Sequence, residues 1–81
     1  MYNILLIEDH AEIAENISQF LSLEHYHIDI ASDGTQGRAL FSQNTYDIVI
    51  LDLMLPGIDG ITLCDKMKAI SDTPIIMTTA K

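Results

Sequence analysis

Short apolar runs and helically spaced apolar positions take turns along this chain. Residues 3–7, NILLI, form a continuous apolar run that suits a strand buried on both faces. From Ala11 to Leu23 the apolar residues Ile13, Ile17, Phe20 and Leu21 recur at helical spacing, with Glu12, Glu15 and Gln19 between them. HIDIA (27–31) alternates with period two and predicts a half-exposed edge strand. Asp33 then has the position of an N-cap, with Gln36 three residues on as its capping-box partner, and opens a helix through about Asn44. DIVIL (47–51) predicts a second buried strand. PGIDG is turn chemistry, and Ile61, Cys64, Met67 and Ile70 mark a third helix that SDTP breaks. IIMTT (75–79) predicts a last strand.

The order is therefore βαβαβαβ with short connections, which predicts an α/β fold with an open parallel sheet and helices on both faces. The two strands that are apolar throughout belong in the middle and the alternating one at an edge. With right-handed crossovers this gives the spatial order 2-1-3-4. Ligands in such sheets bind outside the carboxyl ends of the strands where the winding reverses, here between strands one and three.

Composition narrows the function. Eighty-one residues make one small domain, and 48% hydrophobic with 20% charged residues is a globular balance. A net charge of −8 argues against a nucleic-acid surface and against an anionic membrane. The single cysteine, Cys64, allows no internal disulfide, and no apolar stretch approaches a membrane span. With no basic segment at the start, these features predict a soluble, cytoplasmic domain.

The candidate chemistry lies at the strand ends. Strand one runs into Glu8-Asp9 and strand three into Asp52. If the two strands are neighbours, three carboxylates converge at the switch point. Two unit charges about 4 Å apart repel by roughly 4 kcal/mol at an effective dielectric of about 20. A hard divalent cation resolves that conflict, and Mg2+ typically takes one or two carboxylates plus waters and a phosphate oxygen. The plainer alternatives are that Asp9 only caps the first helix and that Asp52 is a strand-end residue in water.

ILLIEDH, DIVILDLMLPGIDGITLC and PIIMTTAK resemble the receiver domain of two-component response regulators, closest to those with winged-helix outputs. The resemblance runs from residue 3 to residue 81 and implies a flavodoxin-like fold with the 2-1-3-4 order. It implies that Asp52 is the phospho-acceptor for a sensor histidine kinase, that Asp9 ligates Mg2+ and that Glu8 holds metal-bound water. It further implies that Met54 offers its backbone carbonyl to the metal and that Thr79 hydrogen-bonds the phosphoryl group. A carboxylate attacking a phosphohistidine is covalent catalysis of a known kind, so the resemblance implies a self-phosphorylating acceptor rather than a turnover enzyme. Pro56, Gly57 and Gly60 shape the loop after Asp52.

The sequence departs from the family pattern after Lys81. Residues 1–81 correspond to the N-terminal part of a receiver, incomplete, lacking the fifth strand and the last two helices. The lysine that ends that fifth strand is therefore missing too, because Lys81 matches the residue after strand four. The expectation is a truncated fragment impaired in phosphoryl relay. Its apolar strand 75–79, without a covering neighbour, is expected to pair with a second copy as a homodimer or swapped oligomer. The alternative is a non-catalytic acidic half-domain that associates with itself or a partner.

Other candidates are weaker. A Mg2+-dependent phosphatase would need a general acid two residues after Asp52, where Met54 stands. Gly34 and Gly37 lack the third glycine of a dinucleotide fingerprint. His10, His25 and His27 have no metal-ligand spacing with Cys64 and read as exposed or structural. Cys64 takes a core position, and Met54 and Met67 are packing residues apart from the Met54 carbonyl.

Overall fold

Strand and helix alternate throughout the computed structural model, which describes residues 1–55 and 59–78. Among these, β1 (Asn3–Ile7), α1 (Ala11–Ser22), β2 (His27–Ala31), α2 (Gly34–Gln43), β3 (Ile48–Asp52), α3 (Gly60–Ile70) and β4 (Ile75–Thr78) follow one another. Every strand pair is parallel and the order is β2-β1-β3-β4, as the apolar patterning predicts. Thr79, Pro56 and Gly57 lie outside the described residues, as does Lys81.

One boundary shifts. The third strand starts at Ile48 rather than Asp47 and takes in Asp52. Asp47 clamps the entry instead: its backbone N–H donates to the Asn3 carbonyl at 2.8 Å, and its Oδ2 accepts from the Asn3 N–H at 2.7 Å. Asp52 stays in the sheet because it pairs with Thr78 on β4.

The two faces of the sheet are covered unequally. Leu5, Ile7, Val49 and Leu51 point to one face and bury against Phe41 of α2 and Leu63, Cys64 and Met67 of α3. Each such side chain contributes about 1.5–3 kcal/mol on full burial, so this layer dominates the core. On the other face Ile4 and Leu6 are buried and Ala14 is the buried residue of α1. Phe20, expected in the α1 stripe, is instead 68% exposed. At about 100° per residue it stands roughly 120° around the helix from Ala14, outside the inward arc. In α3 the expected positions Ile61 and Ile70 are also exposed, and Leu63 takes the inward place. A step of three residues falls about 60° short of a full turn, so a marker every third residue drifts off the buried face.

The helix starts follow local chemistry. Asp33 caps α2, with its Oδ1 accepting the Gln36 N–H at 2.7 Å. Gln36 reaches back to Ser32 rather than to Asp33, its Oε1 accepting the Ser32 N–H at 2.8 Å. At α1 the N-cap is His10, not Asp9, which corrects the plain reading of Asp9.

Candidate functional site

β1 and β3 are adjacent and Ile7 pairs with Leu51, so Glu8 and Asp52 stand side by side one residue further on. Neighbouring strands lie about 4.8 Å apart, which fixes the spacing of these two positions. The Glu8 N–H continues the ladder by donating to the Ala31 carbonyl at 3.0 Å, and this keeps the residue inside the sheet rather than in a loop. Glu8 is 5% exposed and Asp52 2%. Burial at this level overturns the reading of Asp52 as a strand-end residue in water. Two buried acids at neighbouring positions are costly for folding and call for compensation.

Part of the compensation is local. The Met54 N–H donates to Asp52 Oδ1 at 2.8 Å, an Asx-type turn that orients the carboxylate as the chain leaves β3. The side chain of Met54 is exposed, so it is not the packing residue expected; its peptide group is what faces the site. Leu53 donates its N–H to the Thr78 carbonyl at 2.9 Å, extending the β3–β4 ladder past the acid. Gly60 opens α3 where a Cβ would lie 2.8 Å from Leu53 Cα, so only glycine lets the helix start so close to this turn.

Asp9 is half-buried beside Glu8, and His10 follows at the surface with its Nδ1 3.5 Å from Asp9 Oδ1. His10, expected to be exposed or structural, is exposed and is the N-cap of α1. The other histidines fit structural readings. His25 adopts φ 64° in the turn after α1, and His27 Nε2 lies 3.1 Å from Asp29 Oδ1. Cys64 is buried, as is Met67.

Among the described residues, Glu8, Asp9 and His10 bring ligand atoms within 4.8 Å of one another, and Asp52 stands next to Glu8 by register rather than within that cluster. Carboxylate oxygens are donors that suit a hard cation such as Mg2+. The pattern of the response regulator receiver domain matches residues 4–81. The chain belongs to that family.

The receiver's relatives include the regulatory protein VanRB of Enterococcus faecalis, 44% identical over 77 residues, which are 95% of this chain and 35% of that protein. The response regulator ArlR of Staphylococcus saprophyticus is 43% identical over the full 81 residues, 37% of its length. The chain thus spans about a third of the length of the curated relatives it matches. Among solved structures, the response regulator TrrA of Thermotoga maritima, in complex with Mg2+-BeF, is 36% identical with a TM-score of 0.93, covering 100% of this chain and 71% of TrrA. TrrA has also been solved with the histidine kinase ThkA. Among the receiver's described residues no helix is long and apolar enough to cross a membrane.

Proposed function

We propose that residues 1–81 form the N-terminal part of a receiver whose Asp52 accepts a phosphoryl group from a sensor histidine kinase. The observation that carries this reading is the adjacency of buried Glu8 and Asp52 at the carboxyl ends of the two central strands. In the proposed step an Asp52 oxygen attacks the phosphorus of a phosphohistidine. The P–N bond breaks, a P–O bond forms, and the departing imidazole takes up a proton. The Met54 N–H holds Oδ1, so the carboxylate is oriented before the donor arrives. Glu8, Asp9, Asp52 and the Met54 carbonyl would hold Mg2+, which neutralises charge on the transferring oxygens when bound. Thr79 follows Thr78, the partner of Asp52, and is proposed to hydrogen-bond the phosphoryl group.

The test is incubation with acetyl phosphate and Mg2+ followed by intact-mass measurement. The parent chain is expected to gain one acid-stable, hydroxylamine-labile phosphoryl group and Asp52→Asn none. An unlabelled parent, in a sample that melts cooperatively, overturns the proposal. The second reading, a non-catalytic half-domain that associates with itself, is favoured by Ile76 and Met77, which are 50% and 45% exposed on β4. It predicts association with no labelling.

A further inference from the structure

The buried Gly37 of α2 meets the sheet at the residue before Glu8. Ile7 is fully buried in the central strand, and a Cβ on Gly37 would lie within 3.2 Å of its Cδ1, Cγ1 and Cγ2 alike. Because both γ carbons fall inside that distance, turning the side chain about χ1 exchanges one clash for another. The interior is close-packed, so no free volume takes up the difference. α2 therefore rests directly on the end of β1.

Two routes carry this contact to Glu8. The first is covalent, since Ile7 and Glu8 are consecutive and their Cα atoms stand about 3.8 Å apart. The second runs through the helix cap. Asp33 Oδ1 accepts the Gln36 N–H at 2.7 Å and Gln36 Oε1 accepts the Ser32 N–H at 2.8 Å, which ties the first turn of α2 to the residue after Ala31. The Ala31 carbonyl in turn accepts the Glu8 N–H at 3.0 Å. Whether strand or helix gives way, the displacement reaches the same acid. Asp52 is anchored independently, by the Met54 N–H and by the pairing of β3 with β4. Side-by-side positions on neighbouring strands are about 4.8 Å apart within the sheet, and a shift out of its plane lengthens that gap.

We propose that Gly37 is a positioning residue for the acidic site: its missing side chain lets α2 seat on Ile7, and that seat sets where Glu8 stands relative to Asp52. The inference rests on the reading of these acids as a Mg2+ and phosphoryl site.

The experiment measures Mg2+ affinity by calorimetry for the 81-residue parent, Gly37→Ala, Ile7→Val, the double variant and Tyr46→Phe, each at a temperature where it is folded. Tyr46 lies at the far end of the sheet, so its variant supplies a loss of stability without touching the contact. Gly37→Ala is expected to weaken Mg2+ by about tenfold, the scale of losing support behind a metal ligand. Ile7→Val removes only Cδ1, so in that background the same substitution should cost no more than about threefold, and Tyr46→Phe should stay within about twofold of the parent. If Gly37→Ala alone does not fold, the double variant set against Ile7→Val gives the comparison. A second measurement uses chelator-treated protein. There Asp52→Asn should raise the melting temperature by relieving repulsion from Glu8, and in the Gly37→Ala background, or the double-variant background if needed, the rise should shrink by about half. Unchanged Mg2+ affinity, a loss as large in Tyr46→Phe, a loss that Ile7→Val does not lessen, or an equal melting shift in both backgrounds overturns the inference. A parent that binds Mg2+ but takes no phosphoryl group from acetyl phosphate removes the phospho-acceptor reading and leaves this inference standing. In a parent that binds no Mg2+ the proposed site fails, and the metal-free melting shift alone decides the role of Gly37.

Discussion

At the scale of single residues, Asp52 and Tyr46 show opposite ways of burying a polar group. Asp52 shares the end of the central strands with Glu8, so its charge is a burden on the metal-free fold. Asp52→Asn keeps an oxygen for the Met54 N–H while removing that charge. It is expected to stabilise the chelator-treated protein by about 1–3 kcal/mol. A lower melting temperature for the variant would contradict the repulsion argument. Tyr46 is buried at the far end of the sheet, and its hydroxyl donates to Asp29 Oδ2 at 2.7 Å. Burial first, then the Asp29 hydrogen bond and negative charge, hold its pKa well above the ordinary tyrosine value. The fold thus keeps the proton more tightly than the unfolded chain does. That stabilisation is complete below about pH 10 and declines as pH rises beyond it. Tyr46→Phe should cost about 1–2 kcal/mol at neutral pH and should flatten the alkaline loss of stability. Urea melts of parent and variant from neutral pH upward measure both effects, and parallel pH curves would exclude Tyr46 as their source.

At the scale of elements, the approach of α2 to the sheet is set by Gly37. A Cβ there would lie 2.5 Å from Ile7 Cδ1 and 2.8 Å from Ile7 Cγ1, and Ile7 is fully buried in the central strand. Alanine normally gains about 1 kcal/mol over glycine within a helix. Overpacking a tight core costs about 1–3 kcal/mol and is expected to win here. Gly37→Ala should therefore lower stability, and adding Ile7→Val, which removes Cδ1, should recover part of the loss despite deleting a buried methyl group. A double-mutant cycle read by chemical denaturation decides this, and strictly additive effects would mean that the two residues do not clash.

At the scale of the whole molecule, the described face beside α1 carries more apolar surface than one helix covers. Register puts Ile28, Ile30, Ile4, Leu6, Ile48, Ile50 and Ile76 on that face, and Phe20 stands exposed nearby on α1. β4 has no charged side chain and, among the described residues, pairs on one side only, with β3. An uncharged, apolar edge is a template for another strand. In a purified sample of this chain the strand available to it is that of a second copy. The net charge of −8 per chain opposes the encounter, so salt should promote it by screening. Sedimentation at micromolar concentration is expected to show dimers or larger species whose share grows with ionic strength, and Ile76→Lys should shift the balance to monomer. A cooperatively melting monomer at low and high salt alike would refute this.

Chain order and patterning determined the arrangement of elements by themselves. Continuous apolar runs placed β1 and β3 in the middle, alternation placed β2 at the edge, and Asp33 with Gln36 marked the start of α2. These signals act over a few residues, where side-chain period and capping chemistry suffice. The acidic strand ends were legible for the same reason, because each closes an apolar run. What only the tertiary structure decided depends on distances between elements. Register put Glu8 beside Asp52, and packing buried both, while Asp9 gave up the cap of α1 to His10. Phe20 and Ile70 left the core because a helix turns by about 100° per residue, and only contact with the sheet selects which arc faces inward. The pairing of Tyr46 with Asp29 had no periodic signal. It arises where side chains of ordinary type, far apart in the chain, are brought together by the fold.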